Sequence, residues 1–470
     1  MNTIPANWRR VLTVLLALSA LARSAADARV FNVRDHGATG NGRADEQKAF
    51  QSAIDACVRA GGGTVLAPPG DYRTGVLRLG GGVTLHLEKG ATLWASTNQA
   101  DYGDGRRLLT AEGTEGVHLS GAGVINGQAT ADYGDRWGAP EKPAFRPGIL
   151  WFKNCRDVSV RGVTILNSDS WTLHFFRCED VAVEDVTIRN NYRRLNSDGI
   201  DPNSCRNVRI ARCRISAGDD CVVLKSTEAF PCENVTVTDC FLESAASALK
   251  LGTESHGDFR NILFANCVIS NSPTGLGLYL KDGATMENIV FTNITIGPCA
   301  ATNRVVTPVF VDIERRHAES KVGRIRDVRF ERLNITSGSG ILAQGMPESP
   351  LERLTFREVR FQVPRADDYS KRSKPVGGRR TTRDARDTAF ARLPSFFTVA
   401  HARDLTVENL RVEIAESAFR QFPRAAFAGR FIEGGTLRNL SRRPADAVGA
   451  TPSLDLQDCR GLTVQNAPPP

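Results

Sequence analysis

A short unit of alternating apolar and polar residues recurs along most of this chain. It runs as a small or apolar residue, two polar residues, then aliphatics at every second position, as in Cys155-Arg156-Asp157-Val158-Ser159-Val160. Copies begin at Cys178, Cys205, Cys232, Phe259 and Met286, and further ones at Ile325, Leu351, Ala402 and Cys459. From Cys155 to Ala402 the successive starts are 23, 27, 27, 27, 27, 39, 26 and 51 residues apart. Inside a unit the apolar positions repeat every second residue, as Val181, Val183, Val186 and Ile188 do. That is the period of strands and not of helices. One such unit cannot bury a face alone, whereas a stack of them shares a continuous core. The pattern therefore predicts an all-β chain folded as a single-stranded right-handed parallel β-helix. A propeller would need about 40 residues and four strands per blade. Leucine-rich repeats would show L-x-x-L-x-L and an asparagine ladder, and the pattern carries neither.

The ends of the solenoid are expected to differ from its middle. Residues Asp45 to Arg59 place Ala49, Phe50, Ile54 and Cys57 at helical spacing, with acids at the start and Gly61-Gly62-Gly63 as the stop. This predicts a short N-terminal helix that caps the first coil and hides its open edge. The polar, basic stretch 367–394 reads as a loop inserted between coils, and residues 466–470 as a disordered tail. Arg9 and Arg10 ahead of the apolar run Val11 to Ala22, followed by Ala26-Asp27-Ala28, form a secretory signal pattern over 1–28. The run is shorter than the roughly 20 residues a membrane span needs. The expected organisation is thus a leader over 1–28 and one β-helix domain over 29–465, secreted or periplasmic and off the membrane.

Composition adds limits. The 470 residues, of which 41% are hydrophobic and 24% charged, suffice for a large core and exclude a disordered chain. Length alone would allow about three domains; the shared core of a solenoid reduces them to one. The 60 basic and 52 acidic residues give a charge of +8, and removal of 1–28 leaves 57 against 51. This mild surplus suits an acidic polymer as well as it suits an ordinary arginine-rich surface, so it selects no partner. Of the 11 cysteines, Cys155, Cys178, Cys205 and Cys232 share one repeat position and should stack as buried small hydrophobes. Cys221 with Cys240 is a candidate disulfide in an exported chain. No C-x-x-C spacing marks a zinc site.

The repeat gives way at Asn196-Ser197-Asp198-Gly199-Ile200-Asp201-Pro202 and at Gly218-Asp219-Asp220-Cys221. Asp198 and Asp219 lie 21 residues apart, close to one coil, and adjacent strands are about 4.8 Å apart. Four carboxylates, Asp198, Asp201, Asp219 and Asp220, should then converge on one face without matching Lys or Arg. Crowded carboxylates shift one another's pKa, so one stays protonated while another is ionised. That pair of states is what cleavage of a glycosidic bond requires. The same cluster would also suit a calcium ion, as in a polysaccharide lyase.

These two segments resemble the polygalacturonases of glycoside hydrolase family 28. The similarity extends through Phe31-Asn32-Val33, Gly37 to Gly42, Pro68 to Tyr72, Asn126-Gly127, Asn167-Ser168, Trp171, His174 and Gly252-Thr253-Glu254-Ser255, over roughly residues 29–300. The resemblance implies an inverting hydrolase with no metal or other cofactor. Asp219 would be the general acid, and Asp198 with Asp220 would hold and deprotonate the attacking water. Asn196, Asp201, Lys281, Tyr279, His256 and Trp171 would line the substrate site. The substrate implied is a pectic polysaccharide or oligogalacturonide, the enzyme a monomer without nucleic-acid or membrane partners. Two positions depart from the family pattern. Ala245-Ala246-Ser247 stands where the family has Gly-His-Gly, and Tyr279 stands where the Arg-x-Lys motif ending at Lys281 has its arginine. His256 is a candidate stand-in for the histidine. The departures suit a rhamnogalacturonan or decorated pectin, or an exo-acting enzyme on oligosaccharides; a calcium-dependent lyase and a non-catalytic carbohydrate-binding β-helix are the alternatives.

Overall fold

The computed structural model describes residues 29–130, 145–300, 306–366, 395–421, 424–443 and 453–466. The expected leader over 1–28, the insertion over 367–394 and the tail from 467 onward lie outside the described residues. Each coil supplies three strands, as Leu173–Phe176, Glu179–Glu184 and Thr187–Arg189 do. Each strand pairs in parallel with its counterpart one coil on. The outcome is the right-handed parallel β-helix that the period-two repeat predicts. Among the described residues, no helix is long and apolar enough to cross a membrane.

Register turns the repeat into straight rows of like side chains. One inward row runs Val65, Leu85, Leu119, Val160, Val183, Ile210, Val237 and then Phe264, Phe291, Phe330 and Phe356. Those four phenylalanines are fully buried and stack nearly parallel at 4.7, 4.9 and 4.7 Å between centroids. Burying each contributes roughly 1.5–3 kcal/mol before offset-stacking terms are added. The expected column Cys155, Cys178, Cys205 and Cys232 is buried, and the Cys178 N–H points at Cys205 Sγ at 3.4 Å. The candidate disulfide is absent, for Cys221 and Cys240 are both free thiols. Cys221 instead donates to the Glu243 carbonyl at 3.0 Å, while Cys240 sits between Cys213 and Cys267 in a second cysteine column.

An asparagine ladder runs along the outside, which corrects the reading that the pattern carries none. Asp180, Asn207, Asn234, Asn261 and Asn288 sit at one turn in the left-handed conformation, φ 52 to 56°. Asn and Asp tolerate that region because their short side chains bond locally. Here they also bond along the stack: the amides of Asn207, Asn234, Asn261 and Asn288 donate to the preceding rung at 2.8–3.1 Å. A neighbouring row alternates strictly in charge through Glu115, Arg156, Glu179, Arg206, Glu233, Arg260, Glu287, Arg326, Glu352, Arg403, Glu433 and Arg460. Arg206 lies 2.9 Å from Glu179, and Arg260 lies 3.1 Å from Glu287 and 3.7 Å from Glu233.

Helix α1, Gln47–Arg59, closes the N-terminal end and buries Phe50, Ala53, Ile54 and Cys57. It begins two residues later than Asp45, so its first turn holds no acid; the Asp45 carboxylate instead accepts from the Gln47 N–H. Phe50 meets Tyr72 edge-on at 5.2 Å, which seats α1 on the first coils.

Candidate active site

The site lies on the sheet formed by β1 Leu173–Phe176, β2 Ile200–Asn203, β3 Val222–Ser226, β4 Ser247–Ser255, β5 Thr274–Leu280 and β6 Thr307–Ile313. Asp198 sits just before β2, and Asp219 and Asp220 just before β3. Close backbone contact between these turns explains their glycines. A Cβ on Gly199 would lie 2.4 Å from the Cys221 carbonyl, and one on Gly218 would lie 2.3 Å from the Arg194 carbonyl. The Gly199 N–H donates to the Asp220 carbonyl at 2.9 Å, which places Asp198 beside the Asp219-Asp220 pair.

One oxygen from each of Asp198, Asp219 and Asp220 lies within 4.8 Å of the others. Asp219 is the most open of the four expected acids, 7% exposed, while Asp198 and Asp220 are at 2% and Asp201 is fully buried. Asp219 Oδ2 accepts the Asn196 N–H at 3.1 Å. The Asn196 side chain in turn accepts from Arg146 at 3.2 Å, and Arg146 shares the buried Asp169 with Arg194. Asn196 thus serves the acid through its backbone.

The expectation that these acids lack basic partners is wrong. The Lys250 ammonium lies 2.6 Å from Asp220 Oδ2. Lys225 lies 3.8 Å from Asp198, 3.9 Å from Asp201 and 3.4 Å from Glu254. Arg107 adds a further positive charge near Asp201. Both lysines were legible in strand parity: each projects from a strand whose neighbouring residues, Leu224 or Leu249 and Leu251, point into the core.

Five carboxyls, counting Glu254, face two ammonium groups, so they cannot all ionise together. Burial raises Asp198 well above the usual carboxylate range, and Asp201 and Asp219 push it further. Burial likewise raises Asp201 to about 8. Glu254 goes the other way: burial opposes its ionisation, but Lys225 and Lys250 outweigh that and bring it down to about 2. His174, buried against Arg107 and Lys225, falls to about 3 and is neutral. The cluster therefore holds protonated and ionised carboxyls side by side. Its oxygens are close enough to ligate a hard cation, but the two ammonium groups already supply the positive charge there.

The remaining expected residues lie around this centre. Trp171 is half-buried, edge-on to His174 at 4.8 Å, with Lys225 4.5 Å from its ring centroid. Tyr279 is buried, 4% exposed, and lies flat over Gly277 against Phe310, its hydroxyl 3.2 Å from Thr274. Lys281 pairs with Glu314. His256, half exposed, is 3.8 Å from Asp282, which Arg316 grips through two bonds of 2.6 and 2.8 Å. The geometry thus keeps Asp198, Asp219 and Asp220 together, puts Asp201 and Tyr279 beneath the surface, and sets Lys281 and His256 in a second charged cluster.

The family model for glycosyl hydrolases family 28 matches residues 57–370. A probable polygalacturonase of Vitis vinifera is 30% identical over 231 residues, 44% of this chain and 47% of that protein. The chain thus spans about half the length of that relative. The hyperthermoactive exopolygalacturonase of Thermotoga maritima superposes with a TM-score of 0.64 at 26% identity, over 72% of this chain and 87% of that one. The polygalacturonase of Erwinia carotovora shares the fold, with a TM-score of 0.56 at 20% identity over 69% and 92%.

Proposed function

The chain belongs to glycosyl hydrolases family 28, and on that premise we propose that it hydrolyses the α-glycosidic bonds of pectic polysaccharides or oligosaccharides. The observation that carries this reading is the convergence of Asp198, Asp219 and Asp220 within 4.8 Å. Two hydrogen bonds of about 2.8 Å meeting at a tetrahedral angle span roughly 4.6 Å, so Asp198 and Asp220 can grip one water between them. Asp219, the most open acid, gives its proton to the leaving glycosidic oxygen as the C–O bond breaks. The water attacks the anomeric carbon, and its proton passes to the Asp198/Asp220 pair. Attack by a held water inverts the anomeric centre; these carboxyls stand closer than the roughly 6.5–9.5 Å usual for inverting enzymes, so the first-formed anomer is a direct test of this step. The Trp171 ring offers a stacking face for a sugar.

The charged cluster beside the acids favours a rhamnogalacturonan or decorated pectin over plain homogalacturonan. Lys281 is paired with Glu314 and Arg316 with Asp282, so a galacturonate carboxylate would meet cations already neutralised. The N-terminal signal pattern supports the reading that the enzyme is exported, and we propose that it acts on its polymer as a monomer.

Reducing-end release from defined homogalacturonan and rhamnogalacturonan oligomers tests the function. Hydrolysis by the wild type, lost by at least about 10²-fold in Asp219→Asn, is expected. Unchanged release by Asp219→Asn would overturn the assignment. An unsaturated, ultraviolet-absorbing product abolished by a chelator would indicate a lyase, and binding without turnover a carbohydrate-binding protein.

A further inference from the structure

The two departures from the family pattern meet in space. The segment Ala245-Ala246-Ser247, where the family histidine is missing, opens onto β4, and the Ser247 N–H donates to Asp220 Oδ1 at 3.1 Å. Three residues on, Lys250 reaches the other oxygen, Asp220 Oδ2, at 2.6 Å. Its ammonium stands 5.3 Å from the ring centroid of Tyr279, the residue in place of the motif arginine. A Cβ on Gly277 would lie 2.6 Å from the Tyr279 ring, so only a glycine at that rung lets the ring lie flat beneath Lys250. The Thr274 hydroxyl at 3.2 Å and the Phe310 ring at 4.8 Å fix the tyrosine from the other side.

We propose that Lys250 and Tyr279 form one positioning unit in which the ammonium, seated on the tyrosine ring, holds the Asp220 carboxylate aimed at the attacking water. This rests on the hydrolase reading above. An arginine at 279 would set a second cation beside Lys250, and a neutral residue at 250 would leave Asp220 among acids. The two changes therefore work only together. Other charged or titratable groups around Asp220 are Asp198, Asp201 and Asp219, which repel a carboxylate there, and Lys225, which attracts it. Cys221 follows it in the chain with its thiol held protonated by burial. Glu254 faces Lys250 from the far end of β4 and competes for it. Of the two lysines, only Lys250 bonds Asp220 directly.

The test is the pH profile of kcat/KM on a pectic oligomer that the wild type cleaves, measured for Lys250→Met, Lys250→Arg, Tyr279→Leu and the Lys250→Met/Tyr279→Leu double variant. Removing the ammonium 2.6 Å from Asp220 leaves the carboxyl cluster with one cation fewer, so the acid limb of Lys250→Met should move up by about one unit, with activity down roughly 100-fold. Lys250→Arg should keep the limb in place, and Tyr279→Leu should move it part of the way. The double variant should be no worse than Lys250→Met, since the ring acts through the lysine. An acid limb that stays put in Lys250→Met, or additive losses in the double variant, overturns the unit while leaving the hydrolase reading intact. If Lys250→Met fails to fold, Tyr279→Leu alone decides: a shifted limb supports the unit and an unmoved one overturns it. A wild type that cleaves no pectic oligomer removes the hydrolase reading itself.

Discussion

Asp201 is wholly buried, and no hydrogen bond reaches either carboxylate oxygen. Its pKa is raised to about 8 by burial, against about 3.9 in an unfolded chain. The folded state therefore binds a proton that the unfolded state has released. The stability tied to this proton is complete below pH about 4, declines as pH rises, and is gone above about 8. His174, pushed down to about 3, works in the opposite sense below the unfolded histidine value near 6.5. The window from about pH 6.5 to 8 therefore isolates the carboxyls. There Asp201 should contribute a fall in stability of up to about 1.4 kcal/mol per pH unit, and Asp201→Asn, which mimics the neutral acid, should make the slope shallower than the wild type's by about that amount. Melting temperatures across this window check it; equal slopes would refute the protonated state. The sequence made Asp198, Asp219 and Asp220 legible because Asp198 and the Asp219-Asp220 pair interrupt the repeat at turns about one coil apart. Strand parity turns Lys225 and Lys250 away from the core, but their partners were not legible, because a lysine beside a buried leucine reads as an ordinary strand residue until its neighbour one coil away is known. Asp201 and Tyr279 looked like surface residues for a related reason: a motif specifies order along the chain, not depth.

At the scale of strands and turns, the inward rows carry stability. Phe291 is stacked on both faces, by Phe264 and Phe330, so Phe291→Ala leaves a cavity that its neighbours cannot close from either side. The expected loss is about 3–5 kcal/mol, measured by denaturant unfolding. At the outer turns the left-handed positions tell which coils the sequence could show. Where Asn or Asp holds the turn, as in Asn234 or Asn288, the repeat was visible. The coil that begins at Ile432, in register with Ala402, uses Gly434 and Gly435 instead. It was missed, leaving an apparent gap between the copies at Ala402 and Cys459. Glycine meets the same backbone demand without the residue type that a pattern search follows. A second ladder runs Asp239, Asn266 and Asn293 and resumes at Asn409 and Asn439; between them Arg332 and Glu358 meet the same demand at a cost, with φ of 52 and 56°. Replacing both with Asn should raise stability by about 1–2 kcal/mol, read as a higher urea midpoint at unchanged slope.

Across the whole molecule, one row of charges runs from Glu115 to Arg460 with opposite signs on every adjacent rung. Each exposed pair alone is worth only about 0.2–1 kcal/mol, but the row is continuous, and an arginine such as Arg260 serves acids on both sides. Arg260→Glu would place three acids on consecutive rungs. It should cost about 1–2 kcal/mol at low salt, and added salt should restore part of that loss as screening weakens the repulsion. The alternation also gives the solenoid a parity. Excising one coil from the interior, or duplicating one, would bring two acids or two arginines face to face, whereas excising or duplicating a pair would leave the sequence of signs unbroken. Growth and shortening of this molecule are therefore favoured in steps of two coils, a counting rule written on its outer surface.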